Sequence, residues 1–191
     1  MFNVNQSKKF VILDCDGGSD DAWALLLLLR AEQCELLQLL AVTITGCGNT
    51  TCENAARNMR RMLIACSRED SWRLDNFGKC ALTNKHDAID ILTQVENAQW
   101  LPLQQYGYTN WNPCDALLVA GWLFENQFIK KSSTWHATVD LTGTHTRGQM
   151  VLDHLKECEK FPENVRIIEL VDDNFFKHIV EWVAGLRNAL D

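Results

Sequence analysis

No basic run interrupts this chain of 191 residues, whose formal net charge is −7. A phosphate backbone would meet no cluster of cations to displace its counterions, which excludes nucleic acid as an expected partner. No two of the eight cysteines (Cys15, Cys34, Cys47, Cys52, Cys66, Cys80, Cys114 and Cys158) form a Cys-x-x-Cys pair. Zinc-ribbon and thioredoxin chemistry are therefore not suggested. Their scatter through predicted strands and helices suits reduced, buried thiols. The first nine residues lack an apolar run of signal-peptide type, and a cytoplasmic, reducing location is expected. The apolar run from Ala22 to Leu29 is too short to cross a bilayer, and Arg30 and Glu32 close it. Internal repeats, low-complexity tracts and linkers are also missing. What remains is 47% hydrophobic and 23% charged, a balance that supports a sizeable core in one domain over residues 1–191.

Residues 10–13 are short and apolar and read as a buried parallel strand. A loop over 14–19 follows, with Gly17 and Gly18 allowing a tight turn. Residues 20–30 read as a helix, apolar nearly all round and so expected to be buried. Residues 36–43 form a second strand, 46–51 a loop, and 53–66 an amphipathic helix. Strand, helix, strand, helix predicts an α/β fold with an open, mainly parallel sheet flanked by helices. Ligands in such folds bind at the carboxyl ends of the strands, which places 14–21 and 46–49 on one crevice.

Further on, 67–85 reads as a loop, and 87–100 as a helix with Ile89, Leu92, Val95 and Glu96 on a partly apolar face. Residues 102–110 form a connector. Asn112 and Pro113 start a helix that continues to 124. Residues 134–141 alternate as a strand, 143–148 turn, and 149–152 supply a hairpin partner. Residues 165–171 form a strand. The last helix covers 175–186, with Phe175, Ile179, Trp182, Val183 and Leu186 on one side.

Four carboxylates, Asp14, Asp16, Asp20 and Asp21, lie within eight residues around two glycines. Charges this close repel unless a cation sits among them, and a hard divalent ion with oxygen ligands is the simplest answer. An EF-hand loop beginning at Asp14 would need an acidic twelfth residue, where Leu25 stands. Asp14-x-Asp16-Gly17 is similar to the loop of haloacid dehalogenase-like phosphatases. There Asp14 would be the nucleophile and Asp16 the acid/base, Asp172 and Asp173 would hold magnesium, and Thr43 or Thr45 would bind phosphate. That pattern leaves Asp20 and Asp21 unexplained.

All five fixed positions of a third pattern, Asp-x-Asp-x-Gly-x-Asp-Asp, are filled by Asp14, Asp16, Gly18, Asp20 and Asp21. It resembles the loop of the calcium-dependent, inosine/uridine-preferring nucleoside hydrolases. Ala41-Val42-Thr43 with Gly48-Asn49 is similar to that family's second strand and substrate-facing Gly-Asn. Cys114-Asp115-Ala116-Leu117-Leu118-Val119-Ala120 resembles its late helix start. Val139-Asp140-Leu141-Thr142-Gly143 with Thr146-Arg147-Gly148-Gln149 is similar to its C-terminal strand and turn. The resemblance covers an N-terminal part, 10–66, and a C-terminal part, about 87–188. The family's central segments are not found between them, although Phe77-Gly78-Lys79 resembles their start.

The resemblance implies calcium-dependent hydrolysis of ribonucleosides to free base and ribose. Asp16, Asp21 and Asp115 would be calcium ligands, with Asp16 also the base that takes a proton from water. Asp20 would bond the ribose hydroxyls and Asn49 would face the ribose. Asp14 would support the ligands from behind. Cys114 stands where many members have His. It is either an acid for the departing base or a small buried residue. Trp111 and Trp100 could stack on a base or simply pack. His145 and His154 fit no ligand spacing and are expected to face solvent. A relative without activity is the alternative, binding metal or ribose or assembling through uncovered sheet edges, which would also favour a homo-oligomer.

Overall fold

The computed structural model describes residues 8–45, 48–66, 85–107, 111–155, 161–187 and 190. Gly46, Cys47, most of the loop at 67–85 with Phe77-Gly78-Lys79, Cys80 and Cys158 lie outside the described residues, as does the Trp100 side chain. Two compact units divide the chain. One is Met1–Leu123 with Phe176–Asp191, the other Phe124–Phe175.

In the first unit β1 (Lys9–Cys15) and β2 (Leu37–Ile44) pair in parallel, Lys9 opposite Leu37 and Asp14 opposite Thr43. The crossover between them is α1 (Ser19–Gln33), buried from Asp21 to Ala31, as its all-round apolar pattern predicts. The one long cation in that stretch, Arg30, lies over the Trp182 ring at 5.2 Å. Helix α2 (Cys52–Ala65) is capped by Thr51, whose hydroxyl accepts from the Asn54 N–H at 3.3 Å. Its buried residues Ala55, Met59, Met62 and Leu63 share one face. Helix α3 (Lys85–Gln105) runs past its expected end at 100 and contains Pro102. Proline removes one backbone donor without forbidding the turn that follows. The helix then tightens and stops, with three-residue bonds from Tyr106 to Leu103 and from Gly107 to Gln104. Helix α4 (Cys114–Leu123) packs against α1, as do α2 and α3.

The second unit holds α5 (Glu125–Phe128), β3 (Ile129–Trp135), β4 (Ala137–Val139), β5 (Met150–Leu152) and β6 (Val165–Val171). β3 pairs antiparallel with β6, and β4 antiparallel with β5. The strand expected over 134–141 is thus cut at His136. Asn164 stands at the cut: its carbonyl accepts from Ala137 N at 2.8 Å, and its amide donates to Ala137 O at 2.9 Å. The expected hairpin at 149–152 is present. Its turn is organised by Asp140, whose carboxylate accepts from the Thr142 and Gly143 N–H groups and from the Thr146 hydroxyl.

Helix α6 (Asp173–Val183) begins in the second unit, and its buried residues Phe176, Ile179, Trp182 and Val183 belong to the first. Phe176 replaces the expected Phe175 on the packed side. Leu186 is 77% exposed, because the helix ends at Val183 and Gly185 takes a left-handed turn at φ +75.

The architecture is α/β, but the expected open, mainly parallel sheet is not seen. The described residues form three two-stranded sheets, of which β1–β2 alone is parallel. A parallel neighbour needs a crossover, and no described strand follows α2 before Ile129. Among the described residues no helix is long and apolar enough to cross a membrane.

Candidate metal and substrate site

The acidic loop lies between β1 and α1. Gly17 sits at φ +79, and a Cβ there would come within 2.5 Å of Ala55 Cα. Only glycine fits both the turn and the contact with α2. The Asn58 amide then donates to Gly17 O at 3.1 Å. Asp16 is clamped from the end of β2. Asn49 donates its backbone N–H to Asp16 Oδ2 and its side-chain amide to Oδ1, both at 3.0 Å, and Gly18 N–H reaches Oδ1 at 3.3 Å. A Cβ on Gly48 would lie 1.9 Å from Asp16 Oδ2, so glycine is required there too.

Asp21 is buried, 5% exposed, and its Oδ2 accepts from the Gly18 N–H at 2.9 Å, closing the first turn of α1. Asp115 arrives on α4. One carboxylate oxygen from each of Asp20, Asp21 and Asp115 lies within 4.8 Å of the others. The structure therefore brings together acidic residues that the sequence separates widely.

Their electrostatics show the crowding. Burial pushes Asp21 up to about 7, and its side-chain hydrogen bond with Asp16 and the charges of Asp115 and Asp16 add to this. Asp16 is held below the usual carboxylate range, first by that bond to Asp21 and then by Asn49 and Gly18. Of the pair, Asp21 is the carboxyl that its surroundings push up and Asp16 the one they hold low. Asp115 is raised by burial and by the charge of Asp20. An all-oxygen set of anions that repel one another is the donor chemistry a hard cation relieves.

The other sequence candidates fall around this cluster. Asp14 is exposed and accepts from the Thr43 hydroxyl at 2.7 Å. Cys15 is buried, donates to Thr43 O at 3.5 Å, and has its thiol pushed up to about 12 by burial. The expectation of uniformly buried cysteines fails at Cys52 and Cys114, both exposed. Cys114 donates to Asn112 O at 3.7 Å, so a small buried residue is not what it is. His145 and His154 are exposed, as expected. Asp172, offered for magnesium by the phosphatase pattern, is engaged otherwise. It pairs with Lys130 at 2.9 Å and caps α6 by accepting from Phe175 N–H at 2.9 Å.

A cavity of about 950 Å³ opens beside the cluster in the first unit. Asp20, Gly18 and Asn49 line one part of it, and Trp23, Trp111 and Glu96 another. Cys114 is not in its lining. Sequence reasoning missed Trp23 and Glu96 as wall residues. Helical spacing put Glu96 on the face that packs, and nothing local distinguishes a cavity wall from a core.

Residues 11–74 match the family described as inosine-uridine preferring nucleoside hydrolase. The pyrimidine-specific ribonucleoside hydrolase RihA of Enterobacter sp. is 47% identical over 60 residues, which is 31% of this chain and 18% of that protein. The proteins of the same name from Salmonella paratyphi B and Salmonella agona are 43% identical over 60 residues at the same coverage. The aligned segment therefore spans less than a fifth of these relatives. Asp16, Asp20, Asp21 and Asn49 fall within the residues that match the family. Asp115, Cys114 and the turn at 139–149 fall beyond them.

Proposed function

Since residues 11–74 match the inosine-uridine preferring nucleoside hydrolase family, we propose that the chain cleaves the N-glycosidic bond of ribonucleosides to free base and ribose, with calcium. The observation that carries this reading is the meeting of Asp20, Asp21 and Asp115 from two helices beside the clamped Asp16.

Asp21 and Asp115 would hold the ion, with Asp16, the third ligand the resemblance implies, beside a cluster whose third member is Asp20. When bound, calcium neutralises the crowded carboxylates and lowers the pKa of a coordinated water. Asp16 takes the proton from the attacking water at a carboxylate oxygen. Asn49, expected to face ribose, directs its backbone N–H and its side-chain amide at Asp16, so it positions the base while remaining on the cavity wall. Asp20 accepts from the ribose hydroxyls. Breaking the bond builds positive charge on the sugar, as in glycoside hydrolysis, and the acidic wall stabilises it. Trp111 offers a ring for the departing base. Cys114 as its proton source rests on the resemblance alone.

Titration calorimetry with calcium and magnesium, followed by an assay of ribose release from uridine, cytidine and inosine, tests this. Selective calcium binding that Asp21→Asn abolishes, together with ribose release, is expected. A folded chain that takes up no calcium would overturn the enzyme reading. The short aligned segment, 18% of the relatives' length, favours a second reading, a metal- and ribose-binding relative without turnover. Calcium binding with no ribose release would select it.

A further inference from the structure

Glu96 lines the same cavity as Asp20 and Asn49, and the chemistry above gives it no part. Its Oε1 accepts two indole hydrogens, from Trp23 Nε1 at 2.8 Å and Trp111 Nε1 at 3.1 Å. The indoles meet edge to face, centroids 5.5 Å apart at 72°, and Trp111 lies 6.0 Å from the Phe176 ring. Trp23 is two residues beyond Asp21, and Trp111 four before Asp115. Helix α1 and the segment that leads into α4, which deliver the acidic cluster, thus also fix the Glu96 carboxylate.

Indole N–H groups only donate, so they hold Glu96 as an acceptor. Burial raises its carboxyl, the two indoles oppose that rise, and the charge of Asp20 adds to it. Both donors take the same oxygen, Oε1, and no bond to Oε2 is seen among the described residues, so Oε2 is the oxygen left to accept from a ligand. The cavity, at about 950 Å³, is at the upper end of small-molecule sites and has room for more than a pentose. Both carboxylates line one cavity, and the reading above assigns Asp20 to the ribose hydroxyls, which leaves Glu96 for the base.

We propose that Glu96 determines base specificity, its free carboxylate oxygen accepting a hydrogen bond from an exocyclic amine on the nucleobase. This rests on reading the cavity as a ribonucleoside site. An ionised carboxylate accepts from an amine and repels a carbonyl at the same edge. The rival role is a brace that ties α3 to Trp23 and Trp111 and touches no ligand.

Cytosine and uracil differ at that edge, amine against carbonyl, and neither they nor ribose is consumed. The experiment is titration calorimetry of the full chain with calcium, wild type and Glu96→Gln. Ribose is added first, then cytosine or uracil with ribose saturating. The amide keeps an acceptor for the indoles and so preserves the brace. The wild type should bind cytosine at least about tenfold more tightly than uracil, the worth of one charge-assisted hydrogen bond. In Glu96→Gln that ratio should fall to one or invert, with ribose affinity unchanged. An unchanged ratio, or no base binding by the wild type, overturns the proposal. Loss of ribose binding in the wild type fails the nucleoside reading separately. Should Glu96→Gln not fold, Trp111→Phe removes one N–H and keeps a ring. The ratio should then move toward one, and an unmoved ratio overturns the proposal.

Discussion

Asp21 gives up its proton only near pH 7, because burial and Asp16 both oppose its charge. In the unfolded chain it ionises near its ordinary 3.8. Between those values the unfolded state releases a proton that the native state keeps. The site's contribution to calcium-free stability therefore falls as pH rises from about 4 to 7 and is level above. Asp16, held low, acts in the opposite sense, contributing above the ordinary value and losing that as pH falls further. Urea unfolding of calcium-free wild type and Asp21→Asn should show the variant gaining on the wild type from pH 5 to 7.5. A difference that does not change with pH would refute the raised Asp21 carboxyl. For activity, Asp16→Asn should lower the rate of ribose release by on the order of 10² to 10⁴ if it is the general base. Asn49→Ala should lower it less, because it removes one of the clamp's donors and leaves the carboxylate. Thiol chemistry gives a check free of metal. Iodoacetamide should label exposed Cys52 and Cys114 in the native protein and spare Cys15, as peptide mass spectrometry would read.

Helix α2 shows how an element serves the site. It has a sequence-legible cap in Thr51 and a sequence-legible buried face. It also presses Ala55 against Gly17, which fixes the loop that carries Asp16. Thr51→Ala should cost about 1 kcal/mol by loss of the cap. Gly17→Ala should cost more, since the new Cβ meets Ala55 and the backbone lies at φ +79. Urea midpoints of the two variants decide the order, and an equal or smaller effect at Gly17 would contradict the packing described. The hairpin of β4 and β5 was legible for the same local reason as the cap, because its turn is closed by Asp140 a few residues away. The end of α3 was not legible, because proline marks a missing donor and says nothing about the turn after it.

Across the first unit, anions from distant parts of the chain meet, offset among the described residues mainly by the N–H groups of Gly18 and Asn49. A cation that binds only the folded state adds stability by mass action. Calcium at a hundredfold excess over its dissociation constant should raise the unfolding free energy by roughly 2.7 kcal/mol. Asp21→Asn should abolish that gain. A wild type whose thermal midpoint ignores calcium would count against the ion's residence in this cluster. The aligned relatives extend well beyond the matched segment, so whether turnover follows binding is decided by assay.

By itself the sequence determined what short range controls. The acidic loop with its glycines, the buried α1, the cap and face of α2, and the turn at Asp140 all follow from neighbours a few residues apart. It also led to the expectation of one crevice shared by 14–21 and 46–49, and Asp20 and Asn49 line one cavity. Tertiary structure decided the rest. Among the described residues it paired the strands two by two, because which strands become neighbours depends on contacts far apart in the sequence. It set Asn49 on Asp16 and pushed the Asp21 carboxyl up, because burial and charge proximity exist only once α1, α2 and α4 are packed. It turned Glu96 from a face residue into a wall residue held by two tryptophans, because a cavity is defined by what surrounds it.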